Sequence, residues 1–183
     1  MNALPEFVEF PKMARLSREI IVTEKIDGTN AQVLITADGD VIAGSRTRWI
    51  TPEADNFGFA RWVQGNKDLL LGLGEGSHFG EWWGQGIQRG YGLTEKRFSL
   101  FNTSRWSESR PECCHVVPVL YVGNFDTSEI NFALSNLAGF GSVAAPGFMK
   151  PEGIVAFHTA GRVGFKKTIE KDEVPKALAN KAA

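Results

Sequence analysis

Alternating apolar and polar positions divide much of the chain into short extended segments. Residues 19–26 and 30–36 are rich in β-branched side chains, and Asp27-Gly28 interrupts the run between them. A turn of sequence ADGD then leads into a third strand at residues 41–46. Later β-like runs occupy residues 78–83, 97–102, 116–123, 152–158 and 162–167. The pattern predicts a sheet protein with few helices.

Helical spacing of apolar residues predicts two helices. One begins at Thr51, with a proline in its first turn, and ends near Gly65. The other covers residues 127–138, where apolar side chains recur at every third or fourth position and Gly139 is placed to end the helix. The predicted fold class is therefore α+β.

Composition indicates one globular domain. A chain of 183 residues with 43% hydrophobic residues can bury a core, so we expect a single domain over residues 1–183, with a polar tail from about residue 170 and no second domain. The formal net charge of −1 gives no global signature of a nucleic-acid binder. Any polyanion must therefore be held by a local patch.

The N-terminal sequence and the cysteines set further expectations. The start MNALPEFVEFPK lacks the apolar core of a signal peptide, and no segment reaches the roughly 18 apolar residues that span a bilayer, so a cytoplasmic, non-membrane protein is expected. Cys113 and Cys114 are adjacent, and with His115 they lack the spacing of a zinc site. These thiols are read as buried or incidental, and no set of protein metal ligands is predicted.

The chemistry centres on the segment EKIDGTN at residues 24–30. It places Lys25 at the end of an apolar strand, beside a glycine that permits a sharp turn and close approach of a ligand. Strand parity directs Glu24 and Lys25 to opposite faces unless the bend re-aims one of them. An amine attacks only when neutral, whereas an ordinary lysine is protonated at pH 7, so a nucleophilic lysine needs partial burial or a nearby cation.

Five further motifs follow this lysine in a fixed order. They are Ser45-Arg46, Phe79-Gly80-Glu81, Phe98-Ser99-Leu100-Phe101, Glu152-Gly153-Ile154-Val155 and Phe165-Lys166-Lys167. In this order the sequence resembles the covalent nucleotidyltransferase superfamily of ligases and capping enzymes. Because Asn30 follows the lysine by five residues, it looks most like the RNA ligases of phage repair and kinetoplastid RNA editing. The resemblance implies a domain of two antiparallel β-sheets with flanking helices, with ATP held between the sheets.

The resemblance also implies a role for each matched residue. Lys25 would be the nucleophile that attacks ATP. The other implied contacts are Glu24 near the adenine amino group, Ile26 beside the nucleotide, Phe98 stacked on the base, Asn30 and Arg46 on ribose or phosphate, Glu81 on the ribose, Glu152 on the lysine or the metal shell, and Lys166 on the α-phosphate.

The last motif departs from the family pattern, which usually reads Lys-x-Lys. Here Lys166, Lys167 and Thr168 follow one another, so the two lysines point to opposite faces of a regular strand. Three possibilities remain open at this point: Lys166 acts alone, a bulge turns Lys167 inward, or Lys171 substitutes from the tail.

The function expected from the resemblance is ATP-dependent RNA ligation with Mg²⁺ as the metal. AMP would pass from the lysine to an RNA 5′-phosphate, and a 3′-hydroxyl would then seal the ends. We expect nicked or pre-aligned RNA ends, or an assisting protein partner, to favour sealing. A DNA ligase, a capping-type nucleotidyltransferase using GTP, and a catalytically decayed nucleotide- or RNA-binding module are the alternatives, and a phage origin is left open.

Overall fold

A computed structural model describes residues 6–172 of the chain. The predicted polar tail therefore lies, beyond Asp172, outside the described residues. In chain order the elements are β1 (Glu19–Lys25), β2 (Thr29–Ile35), β3 (Val41–Ser45), α1 (Phe59–Gly65), α2 (Lys67–Leu70), a 3₁₀ turn (Leu71–Leu73), β4 (Gly76–Gly84), β5 (Lys96–Leu100), α3 (Thr103–Trp106), β6 (Cys114–Val116), β7 (Val119–Asn124), α4 (Thr127–Phe140), β8 (Gly153–His158) and β9 (Val163–Thr168).

The strands form two sheets, as expected. One sheet has four strands in the order β7-β1-β8-β9, and the other has five in the order β3-β2-β4-β5-β6. All neighbouring pairs are antiparallel except β5 and β6, which run parallel. The α+β fold with two sheets is confirmed, and the parallel edge strand is a small correction to the expected all-antiparallel arrangement.

Each sheet buries one face against a helix. Side chains of α1, among them Phe59 and Val63, pack on the five-stranded sheet and enclose Phe98. Ala133 and Leu137 of α4 cover the four-stranded sheet. Side chains along each strand point alternately to the two faces of the sheet, so every second side chain points away from the helix. These faces, opposite the helices, carry the residues of the candidate site.

Several predicted boundaries were wrong for local reasons. Residues 51–58 form turns, so the first helix begins at Phe59, where the Asp55 carboxylate accepts hydrogen bonds from the first N–H groups of the helix. Helix α4 continues through Gly139 and ends at Phe140, and it is capped by Gly141, whose φ of 88° suits glycine. The predicted strand at 116–123 is split at Pro118, which cannot donate a backbone hydrogen bond.

None of the helices formed by residues 6–172 has the length and apolar composition needed to cross a membrane.

Candidate active site

An ion pair between Lys25 and Glu152 forms the centre of the site. Lys25 is the last residue of β1 and lies opposite Gly153 of β8, so that its Nζ donates to Glu152 Oε2 at 2.5 Å. The Glu152 side chain is 2% exposed and that of Lys25 is 22% exposed. A Cβ on Gly153 would lie 2.2 Å from the carbonyl oxygen of Lys167, so only glycine lets β9 approach here. The lysine is thus held by a buried carboxylate while it remains reachable from outside.

Arg89 ties the turn after Lys25 to the segment before Glu152. Its Nε donates to Asp27 Oδ2 at 3.0 Å, and its Nη1 donates to the carbonyl oxygen of Lys150 at 2.9 Å. The N–H of Asp27 donates to the phenolic oxygen of Tyr91 at 2.8 Å, and burial raises the pKa of Tyr91, so the phenol stays neutral. The sequence analysis did not identify Arg89 or Tyr91, because neither residue belongs to one of the ordered motifs.

Glu81 lies directly beside the same turn. Its Oε1 accepts from the N–H of Gly28 at 3.0 Å, and its Oε2 accepts from Asn30 Nδ2 at 3.3 Å. A Cβ on Gly28 would lie 2.4 Å from the carbonyl oxygen of Trp82, which explains why glycine is required at the turn. The register places Asn30, Glu81 and Ser99 in one row across three strands. Asn30 and Glu81 therefore contact each other beside the turn that follows Lys25.

The carboxyl group of Glu81 titrates near neutral pH. Its pKa is raised from 4.5 to about 7, chiefly by burial, and the carboxylates of Glu152 and Asp27 act in the same direction. Lys25 and the hydrogen bond from Gly28 act in the opposite direction. Burial is the largest of these effects, so Glu81 can hold or lose a proton close to physiological pH.

Glu24 has a different position from the one expected. Its side chain is 1% exposed, and Oε1 accepts from Ser142 Oγ at 2.6 Å. Oε2 accepts from the N–H groups of Val143 and Ala144 at 2.8 and 2.9 Å. The carboxylate therefore fastens β1 to the loop after α4, and the predicted contact with an adenine amino group does not match this arrangement. The opposite orientations of Glu24 and Lys25 follow strand parity.

Phe98 and Ile26 are core residues in the structure. Phe98 is fully buried and packs against Phe59 and Trp62 of α1, on the face of the sheet opposite Glu81. The prediction that it stacks on a base is therefore wrong, because strand parity directs its ring into the core. Ile26 is 3% exposed and belongs to the small apolar cluster around Trp83. Its side chain is not available to a ligand.

The register of the last hairpin distinguishes the two adjacent lysines. Strand β9 pairs with β8 without a bulge, with Lys166 opposite Val155 and Lys167 opposite Ile154. Lys166 therefore shares the face of Lys25, whereas Lys167 lies on the α4 side and its Nζ donates to Asn131 Oδ1 at 2.8 Å. The expected nucleotide contact of Lys167 is wrong, and the bulge that would have turned Lys167 inward, one of the three open possibilities, is absent from this hairpin. Arg46 is exposed at the end of β3, directly after Ser45, which pairs with Ala31.

Phe101 is a candidate that the sequence reasoning did not assign. It follows β5 in the same alternation as Ser99, so its ring projects from the face that carries Glu81, and its N–H donates to the carbonyl oxygen of Phe79 at 3.0 Å. The side chain is 41% exposed. The motif Phe98-Ser99-Leu100-Phe101 contains two aromatic residues, and the sequence does not show which of them points to the face of Glu81. That distinction required the strand register.

The fold and the site together define an adenylyltransferase-like domain: two sheets, with a lysine at a strand end between buried carboxylates. The RNA ligase family model matches residues 18–171, and the chain belongs to the RNA ligase family.

Solved structures of a Naegleria gruberi RNA ligase are similar to this chain. A mutant with ATP and Mn matches with a TM-score of 0.64 at 20% identity, and an apo mutant matches with a TM-score of 0.63 at 21% identity. A mutant with AMP and Mn matches with a TM-score of 0.63 at 20% identity. Each match covers 97% of this chain and 59% of the other, so the chain spans about three fifths of the length of those ligases. No curated protein matches the sequence.

Proposed function

We propose that this chain is an ATP-dependent RNA ligase whose Lys25 becomes covalently adenylylated. The observation that carries the proposal is the position of Lys25, which is partly exposed, fixed by Glu152, and adjacent to the Glu81 row. The ammonium paired with Glu152 is the resting form, and loss of one proton converts it to the attacking amine. Attack forms a bond from Nζ to the α-phosphorus and breaks the bond to the β-phosphate oxygen, so that pyrophosphate leaves with the electron pair. Nζ gives up a second proton to solvent as the neutral phosphoramidate nitrogen forms.

The residues around Lys25 fit ATP. Lys166 shares its face and supplies a cation for the α-phosphate, and exposed Arg46 supplies a second at the edge of the sheet. Glu81 and Asn30, which are hydrogen-bonded to each other, would bind ribose hydroxyls.

A divalent metal also fits this site. Among residues 6–172 no group of three His, Cys, Asp or Glu side chains could hold a metal by itself. Mg²⁺ is ordinarily bound by one or two carboxylates together with substrate phosphates and water, and Glu152 would supply the carboxylate. The metal would contribute neutralisation of the triphosphate charge.

Phe101 is the residue we assign to the base of ATP, in place of Phe98. It lies one pleat beyond the Glu81 row on the same face of the sheet, as a base extending from a ribose at Glu81 requires. Its exposed ring can stack on a base, whereas the ring of Phe98 is enclosed by α1.

The later steps complete the proposed reaction. An oxygen of an RNA 5′-phosphate attacks the lysyl-bound phosphorus, the bond from Nζ to phosphorus breaks, and the amine is regenerated by taking up a proton. The 3′-hydroxyl of a second RNA end then attacks the 5′-phosphate, loses its proton and releases AMP. Pre-aligned RNA ends, an assisting protein partner and a cytoplasmic location remain part of this proposal.

Covalent labelling tests the proposed function. Incubation with α-³²P-labelled ATP and Mg²⁺ is expected to give label that survives denaturation and alkali but is released by acid, as a phosphoramidate should be. Lys25→Ala and Lys25→Arg should take up none, because alanine has no amine and a guanidinium stays protonated. Lys67→Ala is the matched control, since Lys67 is an exposed lysine of α2. Persistent label in Lys25→Ala would contradict the mechanism, and labelling by GTP alone would favour a capping-type enzyme.

A further inference from the structure

Register pairing aligns one row of residues across the five-stranded sheet. Gly44 of β3 pairs with Gln32 of β2, and Gln32 pairs with Phe79 of β4. Phe101 continues the row beside Phe79, and an isolated bridge joins Gly44 to Trp49 at the other edge. Because directly paired residues share a face, all five project on the side of the sheet that carries Glu81.

The three aromatic members of this row, which we call the aromatic row, are exposed. Phe79 is 56% exposed and Trp49 is 52% exposed, and Phe101 has the exposure given above. The Trp49 ring lies over Gly44, since a Cβ at that glycine would stand 3.0 Å from two ring carbons. One face of the indole ring therefore packs against the sheet at Gly44, and the other face is exposed to solvent. Large apolar side chains grouped in this way on one surface indicate a binding site.

The aromatic row is continuous with the candidate active site. It lies one pleat, roughly 7 Å along the strands, from the row that contains Asn30 and Glu81. Arg46, at the tip of the turn that joins β3 to Trp49, adds an exposed positive charge at the same edge. An RNA end must come close to the nucleotide on Lys25 during transfer, so a surface adjoining the site is where that strand would pass.

We propose that Trp49 and Phe79 form a stacking surface for unpaired bases of the RNA strand whose end is joined, with Arg46 contacting its phosphates. This inference rests on the proposed RNA ligase function and extends it to the substrate. Flat, exposed rings beside a cation match single-stranded nucleic acid, whose bases stack on aromatic side chains and whose backbone is anionic. The Phe101 ring at the end of the row, assigned to the base of ATP, would bring nucleotide and RNA onto one surface.

The test measures RNA affinity and lysine adenylylation separately. The probe is a fluorescein-labelled 12-nucleotide single-stranded RNA with a 5′-phosphate, titrated by anisotropy without ATP. Trp49→Leu and Phe79→Leu should each weaken binding roughly tenfold, because leucine keeps apolar area but cannot stack on a base. Trp49→Phe should retain most of the affinity. Phe132→Leu is the matched control, because Phe132 is an equally exposed ring on α4, outside the row.

Each outcome decides the inference. It is supported if the two leucine variants lose RNA affinity by a larger factor than any change in lysyl-AMP formation at saturating ATP, with unchanged melting temperatures. It is overturned if their RNA affinity equals that of the Phe132→Leu control, or if RNA affinity and adenylylation fall by equal factors. Unchanged RNA affinity with a changed sedimentation coefficient would also overturn it and assign the row to protein contacts. Failure of wild-type adenylylation would instead count against the proposed function, because the RNA titration uses no ATP.

Discussion

Replacing Glu81 with glutamine removes a carboxyl group whose pKa burial raises to about 7. The ordinary value for this group is 4.5, so the folded protein holds the proton more tightly than the unfolded chain does. The stabilising effect of the protonated form is fully present below about pH 4.5 and is lost as the pH rises through 7. A pKa difference of this size lowers the free energy of unfolding by about 3 kcal/mol as the pH rises from about 4.5 to above 7.

The assay is urea unfolding of wild type and Glu81→Gln at pH values from 4.5 to 8, without nucleotide. Glutamine does not titrate, so the wild-type free energy of unfolding should fall relative to that of the variant by about 3 kcal/mol across this range. Burial lowers the pKa of His78 and His115, but these groups titrate in both proteins and cancel in the difference. Glu75→Gln, at an exposed position, is the control and should run parallel to wild type.

A difference between wild type and Glu81→Gln that does not change with pH would refute this reasoning. It would mean that the pKa of Glu81 is the same in the folded and unfolded chains, and that the hydrogen bonds from Gly28 and Asn30 together with Lys25 balance the effect of burial.

Four further substitutions test the assignment of residues. Phe98→Leu should lower the free energy of unfolding by about 1–2 kcal/mol in urea titrations. At a temperature where the variant is folded, nucleotide labelling should be unchanged. Loss of labelling without loss of stability would show that Phe98 does stack on the base. Lys166→Ala should slow labelling at least tenfold and Lys167→Ala less than twofold, as measured by initial rates; equal effects would contradict the register argument. Arg89→Met should slow adenylylation more than it slows the sealing of RNA that already carries a 5′-adenylyl group, because only adenylylation uses the Lys25 amine. Equal slowing of both reactions would indicate a general structural defect.

Much of the fold and the centre of the site could be predicted from local sequence. Alternating side chains define strands because the pleat repeats every two residues, and this pattern correctly placed Lys25 at the end of β1. Gly28 was recognised at a turn because few other residues allow so close an approach of another strand. The ordered motifs also singled out Asn30 and Glu81, and the structure joins these two side chains by a hydrogen bond.

The tertiary structure alone decided which face each remaining side chain occupies. Lys166 and Lys167 are equivalent in sequence, and only the unbroken pairing of β9 with β8 directs one toward Lys25 and the other toward α4. The preference for Phe101 over Phe98 likewise depends on strand register and on which face α1 covers.

Contacts between distant parts of the chain were equally inaccessible from local sequence. Glu24 is bound by the loop at 142–144, and Arg89 joins Asp27 to the segment before Glu152. A hydrogen bond between residues separated by 60 or more positions leaves no periodic trace in the sequence. It is formed only when elements distant in sequence pack together. For that reason the chain's local pattern determined the lysine and its turn, while the assembled fold determined what surrounds them.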